Sequence, residues 1–307
     1  MVSAIGLAWW IAGFGFPQVV PDPIQKVRAA VERSLPFIEK KGVEWMRDRK
    51  CTSCHQVTFM LWSHREALEH GIAVDAKKLD VWTEWSIEYT LTTKTDKGER
   101  GGGIDTMAQL LLARGTNADP RYREIADLML VLQKEDGHFD AGGQLPSQRR
   151  PKNETNEVTT QWVLLALQSL PSEEALKSVQ ERAATWLADR KPGKSNESLA
   201  LAALFTRSDE LLQKLLESQN DDGGWSWLIG EASDALATGQ TLYLLGRWGA
   251  AVDPQRIQRA RDFLIKTQRE DGSWKVASTK AKPKNDDTST YWGTCWAAIG
   301  LLRTLPK

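Results

Sequence analysis

Residues 219–225 read Gln-Asn-Asp-Asp-Gly-Gly-Trp, and residues 268–274 repeat the pattern as Gln-Arg-Glu-Asp-Gly-Ser-Trp. A third copy, Gln133-Lys-Glu-Asp136-Gly137-His138-Phe139, keeps the order with Phe in place of Trp. The common form is Gln, two polar residues, Asp, Gly, any residue, then an aromatic. The copies are spaced by 86 and 49 residues, so the first gap holds room for one degenerate unit of a repeat array. Ala183-Ala-Thr-Trp186-Leu-Ala supplies it, paralleling Ala260-Arg-Asp-Phe263-Leu-Ile, although its tail (Arg190-Lys-Pro-Gly193) has lost the Gln and the Trp.

Each copy ends one amphipathic helix and precedes another. Arg121 to Gln133, Glu210 to Gln219 and Arg256 to Gln268 place apolar residues at three- and four-residue steps. Asp-Gly stops each helix, because Gly tolerates the left-handed conformation at a C-terminus. A polar loop follows, and then a more apolar helix opened by capping residues. These are Thr155-Asn156-Glu157 before Val163–Leu170, Ser233-Asp234 before Ala237–Trp248, and Asp286-Asp287-Thr288-Ser289 before Trp292–Leu302. Extended backwards, the scheme pairs Ile24–Lys41 with His55–Glu69 and Ala76–Leu91 with Ile104–Arg114, giving twelve helices in six hairpins. Connections within a pair are mostly long (Asp136 to Asn153, Asp271 to Thr288) and those between pairs mostly short (Pro171-Ser172, Trp248 to Asp253). Closed into a ring, six such hairpins put all long loops on one face. The predicted fold is therefore an all-α (α/α)6 toroid over residues 23–307, its richer second helices forming the inner ring. Long loops carry function more often than short ones, so the long-loop face is the expected working face.

The composition agrees with a globular chain and narrows its partners. Of 307 residues 41% are hydrophobic, and 40 basic side chains balance 40 acidic ones. That balance argues against a general nucleic-acid binder, which needs a cationic excess to neutralise phosphates. Tryptophan is over-used, with 14 Trp against 7 Phe and 4 Tyr. No charge precedes Asp22, and Val2–Phe16 is as apolar as the core of an export signal, without a basic start or a clear cleavage site. Residues 1–22 are expected to act as an export signal or anchor, with a buried N-terminal segment as the alternative; attachment to a membrane through them is a further option.

The Gln-x-x-Asp-Gly-x-Trp repeats resemble the QW motifs of the α/α-toroid superfamily that holds squalene-hopene cyclases and protein prenyltransferase β subunits. The resemblance runs from about Ile24 to Leu305 and is strongest from Arg121 onward. It implies that the Gln caps helix ends and that the Trp stacks across the repeat, which speaks for fold rather than chemistry. The Asp-x-Asp-Asp acid of the cyclases has no counterpart; Asn285-Asp286-Asp287 is nearest and stands where a helix cap is expected. Nor is the prenyltransferase zinc set complete, since Asp234 and Cys295 have no matching His. Cys295 reads as a core thiol.

Cys51-Thr-Ser-Cys54-His55 matches Cys-x-x-Cys-His, the attachment signature of c-type haem. Two thiols at that spacing add to the haem vinyl groups, and the adjacent His becomes the proximal iron ligand. On this reading haem c is bound by Cys51, Cys54 and His55 within an attachment loop at 46–55, on the long-loop face. Maturation of such a group implies an oxidising, extracytoplasmic compartment such as the periplasm. Candidate distal ligands are His138, Met107, Met129 and His64, with an open sixth position equally acceptable. On a rigid helix from His55, His64 lies about 180° around and cannot reach the same iron. Rival readings are a zinc site completed by His64 or His70, a redox dithiol, and a Cys51–Cys54 disulfide. Around the rim stand Glu157, Glu197, Asp234 and Asp286, each also a plausible N-cap or first-turn acid. Arg100, Arg149, Arg150 and Lys152 are offered as partners for propionates, and Trp62, Trp82 and Trp85 as cavity walls.

The leading functional expectation is an exported c-type haem protein on a cyclase-like toroid, working in electron transfer with a redox partner or in redox chemistry on a small apolar substrate. Its alternative is a non-haem terpenoid cyclase-like or prenyltransferase-like enzyme, or a toroid that binds lipid or peptide, with zinc at the Cys-His cluster.

Overall fold

The computed structural model describes residues 22–52, 56–94, 103–142, 147–171, 173–249 and 252–306. The apolar N-terminal stretch up to residue 21, Cys54, His55 and Arg100 lie outside the described residues. Twelve helices are present among them, in the expected order. The outer members are α1 (Pro23–Arg49), α3 (Ala76–Thr92), α5 (Arg121–Leu130), α7 (Glu174–Ala188), α9 (Asp209–Glu217) and α11 (Pro254–Thr267). Their inner partners are α2 (Thr58–Glu69), α4 (Ile104–Ala113), α6 (Lys152–Leu167), α8 (Asn196–Thr206), α10 (Ala235–Trp248) and α12 (Asp287–Leu302). Each inner helix packs on the next, and α12 packs back on α2, so the ring closes.

Burial separates the two rings as the sequence pattern predicts. On α11 only Ala260, Phe263 and Leu264 are buried, one stripe of an amphipathic helix. On α12 nearly every side chain from Tyr291 to Leu302 is buried, the mark of a helix with neighbours all round. The tightest inner contact joins α10 to α12. A Cβ at Gly239 would strike the Trp296–Ala297 backbone, and one at Gly300 would strike Gly239. Glycine costs a helix interior about 1 kcal/mol; here it admits two backbones into contact.

The repeat motif is a clasp between neighbouring outer helices. The Gln133 side-chain amide donates to its own loop at the Gly137 carbonyl (2.9 Å) and to the Val179 carbonyl on α7 (2.8 Å). Gln219 does the same to Gly223 (2.8 Å) and to Arg256 on α11 (2.9 Å). Gln268 reaches Gly272 (3.0 Å) and Ala30 on α1 (2.8 Å), closing the outer ring. The motif glycine stands at φ +101°, +91° and +81° in the three copies, and a Cβ there would fall on the carbonyl of Arg182, Arg259 or Arg33 of the next outer helix. Both backbone conformation and proximity thus demand glycine. The aromatic tucks inward. Its backbone N–H donates to a threonine hydroxyl of the inner helix, Thr160, Thr238 or Thr294. The indoles of Trp225 and Trp274 cap Leu215 and Leu264 carbonyls at 2.8 and 2.7 Å.

Where the motif is degenerate, between α7 and α8, a different device holds the turn. The Glu154 carboxylate of α6 accepts from Lys194 N (3.0 Å) and Ser195 N (2.8 Å), and Ser195 caps α8 through Ser198 N. The start of α6 comes eleven residues earlier than the sequence pattern suggests, at Lys152. Pro151 stands at the N-cap with ψ 150°, outside the helix, and the polar first turn carries the acid Glu154, which suits a helix N-terminus.

The two longest loops meet over the long-loop mouth. Segments near 147–149 and 279–281 run antiparallel, with Arg149 N donating to Thr279 O (2.9 Å) and Ala281 N to Ser147 O (3.1 Å). These loops lead into α6 and α12, three places apart in a ring of six and hence opposite each other. Together they form a strap across the mouth.

Candidate functional site

Beneath the strap lies an axial pocket walled by the inner helices: Phe59 and Trp62 from α2, Asp105 and Gln109 from α4, Thr159 and Trp162 from α6, Glu197 from α8, Gln240 from α10, and Trp292 and Trp296 from α12. The cavity they leave is small, about 30 Å³. Aromatic rings fill the rest of the axis. Trp162 and Trp296 meet across it at 5.4 Å between centroids, and Trp296 also touches Phe59 (5.3 Å) and Trp62 (5.2 Å). Tyr243 stands edge-on to Trp62 at 5.2 Å.

The polar side of the pocket is built around one cation. Arg150, on the strap and next to Arg149, drops inward and donates to Glu197 Oε2 at 2.6 Å, the pair almost wholly out of solvent. The other oxygen of Glu197 accepts from the Trp162 indole and from the Gln240 amide, both at 2.8 Å. Asp105, at the start of α4, accepts from Gly142 N (2.8 Å) and Thr159 Oγ1 (2.9 Å). Burial pushes its carboxyl up to about 6, against the opposing pull of those two donors and of Arg150. The result is a buried acid protonated more readily than an exposed one, lining the pocket that the indole rings also line.

The proposed site residues fall at scattered places. Cys51 is partly exposed beside Tyr89, whose hydroxyl burial and the neighbouring thiol push up to about 12. His138 donates or accepts at both ring nitrogens, with Asp136 at 2.6 Å and Asp140 at 3.3 Å, and stacks on Trp186 of the outer ring. His64 is buried at the Met60 carbonyl (2.8 Å) and edge-on to Trp82, and burial holds its pKa below the usual value. His70, at the far end of α2, bonds Glu66 O at 2.9 Å. Met129 is core. Met107 lines a separate recess of about 500 Å³ on the outer side of α4, with Leu128, Val131, Phe139, Lys94 and Lys134.

Of the rim acids, Asp234 is the N-cap of α10, accepting from Ala237 N (2.8 Å), and burial pushes it up to about 6. Asp286 instead accepts from Ser278 N, and Glu157 pairs with Arg190 at 3.5 Å. Arg149 binds Glu231 through both terminal nitrogens, and Lys152 is exposed. Trp62 walls the pocket as expected. Trp82 and Trp85 do not, since both belong to outer helix α3 and pack on His64 and Tyr89. Sequence reasoning missed Asp105, Gln109, Trp162, Gln240 and Trp296. One signal was available for Asp105, the lone acid in the apolar run Ile104–Ala113.

No family model matches the chain. By sequence it is similar to a drimenyl diphosphate synthase of Streptantibioticus cattleyicolor, 34% identical over 82 residues, and to one of Streptomyces showdoensis, 30% identical over 92. Those matches cover 27% and 30% of this chain but only 15% and 16% of the relatives' length. By structure it is similar to the type II terpene cyclase MstE from Scytonema in complex with its substrate geranylgeranyl dihydroxybenzoate (TM-score 0.59, 12% identity, 92% of this chain and 98% of that one). An α-1,6-mannanase of Salegentibacter is also similar (TM-score 0.54, 14% identity, 92% and 100% covered).

These relatives overturn the haem reading of the sequence. The relatives that share its sequence segments are drimenyl diphosphate synthases, and the solved structures that share its fold include a type II terpene cyclase and a mannanase. Cys54 and His55 lie outside the described residues; among the described residues no group of three or more His, Cys, Asp or Glu side chains is placed to hold a metal. Haem c and electron transfer to a redox partner are accordingly set aside. Among the described residues no helix is long and apolar enough to cross a membrane. The fold expectation stands: the chain is an all-α toroid of six helical hairpins, the architecture it shares with the type II terpene cyclases.

Proposed function

We propose that the chain is a terpenoid-cyclase-like enzyme that takes an apolar isoprenoid chain into the axial pocket and protonates it with Asp105. The observation that carries this reading is a buried carboxyl, Asp105, lining the same pocket as the rings of Phe59, Trp62, Trp162, Trp292 and Trp296. In the step envisaged, the Asp105 O–H adds its proton to a C=C bond, leaving a carbocation on the more substituted carbon. A second C=C of the same chain supplies the electron pair that closes a ring. Loss of a proton to water from the carbon beside the final cation restores a double bond, and Asp105 regains its proton from solvent. The reaction is an isomerisation. Trp62, Trp162 and Trp296 present ring faces that attract a passing cation. The narrow interior requires those rings and the strap to part for a substrate.

Incubation of the full chain with farnesyl and geranylgeranyl diphosphate, followed by gas chromatography and mass spectrometry, tests the proposal. A cyclic isomer is expected, and Asp105→Asn should abolish it. Absence of both product and saturable binding would sink the reading. A second reading, an isoprenoid-binding toroid without turnover, is favoured by the missing Asp-x-Asp-Asp run and by the filled axis; binding without product would select it.

A further inference from the structure

Four polar atoms on the pocket walls have no partner. The indole nitrogens of Trp292 and Trp296, Arg150 Nε and Gln240 Oε1 are all buried without a hydrogen bond among the described residues. Arg150, Gln240 and Trp296 are each more than nine-tenths buried. Leaving a buried polar group unmade costs more than an average hydrogen bond gains, so orphaned groups that share one pocket call for an explanation. These belong to side chains that line one pocket, and they comprise three donors and one acceptor. The set does not suit a hydrocarbon, which can satisfy none of it. Nor does it suit an anion, because the one cation there is already matched to Glu197 at 2.6 Å, and Asp105 stands on the same wall.

We propose that the axial pocket recognises a hydroxyl group carried by an otherwise apolar ligand. The hydroxyl oxygen accepts from the Trp296 or Trp292 indole or from Arg150 Nε, and its proton is donated to Gln240 Oε1. With one donor and two acceptor sites, a hydroxyl can satisfy Gln240 Oε1 and two of the three donors at once. The aromatic faces of Phe59, Trp62 and Trp162 take the hydrocarbon part. The inference rests on the axial pocket being the isoprenoid site, and it adds which kind of isoprenoid that site selects.

The test is equilibrium binding of farnesol, β-farnesene and farnesyl diphosphate to the full chain, followed by tryptophan fluorescence and checked by calorimetry. Farnesol and farnesene share a fifteen-carbon skeleton and differ by the hydroxyl. Farnesol should bind about tenfold more tightly, the worth of one or two net hydrogen bonds. Trp296→Phe keeps a ring but removes its N–H, and Gln240→Met removes the acceptor; in each the ratio should fall toward one, with helical circular dichroism reporting that the fold persists. Should Trp296→Phe fail to fold, Trp292→Phe replaces it. Equal affinity for farnesol and farnesene in the wild-type protein would overturn the hydroxyl assignment while leaving the isoprenoid pocket intact. Tighter binding of the diphosphate than of the alcohol would overturn it in favour of an anion. If none of the three binds, both this inference and the axial isoprenoid site fall.

Discussion

The axis of the toroid holds an arginine–carboxylate pair at each end, and the two are built differently. Under the strap, Arg150 and Glu197 are nearly sealed from solvent, and Glu197 gathers three donors. At the short-loop end, Arg303 meets Glu66, which also accepts from the Trp62 indole at 3.2 Å, but a quarter of the Arg303 side chain reaches water. The upper cation comes from a loop and borders a pocket. The lower one leaves the end of α12 and covers the Tyr243 ring at 5.4 Å. One end borders a pocket and the other is a plug; the difference lies in whether the arginine can be re-solvated, since both ends keep buried polar atoms without a partner.

The comparison is sharpest at Glu197. Glu197→Ala strands a sealed guanidinium together with two buried donors, and should cost about 3–5 kcal/mol in urea unfolding. An equal loss at both ends would refute the distinction drawn between them. Next in size is a pH effect confined to the upper end. The folded pKa of Asp105, about 6, lies above its unfolded value, so the folded chain retains a proton there that the unfolded chain gives up. Its contribution to stability is therefore greatest in acid and falls as pH rises from about 4 to 6, by on the order of 3 kcal/mol. Asp105→Asn should flatten that part of the stability curve without abolishing it, because Asp234 titrates in the same window. A curve unchanged by the substitution would place the Asp105 proton elsewhere.

Glu66→Ala should cost less than either, about 1–3 kcal/mol, since Arg303 can turn to water while Trp62 loses one acceptor. Tyr243→Phe should be the mildest change, within about 1 kcal/mol, because the hydroxyl removed accepts only from Arg247 at 3.2 Å and the ring stays in place. A loss of several kcal/mol would show that the plug is as tightly specified as the pocket.

The ring was legible in the sequence because its signals are local and repeated. Gln, Asp-Gly and an aromatic at fixed spacing mark each helix end, and a hydrophobic period marks each helix. The clasp was only half visible. That Gln133, Gln219 and Gln268 bind their own loop follows from the motif, but their second bond, to Val179, Arg256 or Ala30, joins residues far apart in the chain. The pocket was least legible for the same reason. Asp105, Trp162, Glu197, Gln240 and Trp296 come from five helices, and only ring closure brings them to one axis. The Cys51–His55 run misled because a short motif of high specificity was read without the partners a haem pocket needs. The candidate distal ligands were chosen by residue type alone.

One clasp has a consequence for how the chain could be rewired. Gln268 joins the last outer helix to the first with the same pair of bonds that join interior neighbours, and α12 packs on both α1 and α2. The entry to α1 and the exit from α12 both stand on the short-loop face, where Arg28 of α1 bonds the His70 and Gly71 carbonyls at the end of α2. The junction between the last and first outer helices is thus fastened as firmly as those inside the chain. A circular permutant that links Leu305 to Asp22 by a short flexible tether and opens the chain between α8 and α9 should fold to the same toroid, its six hairpins merely renumbered.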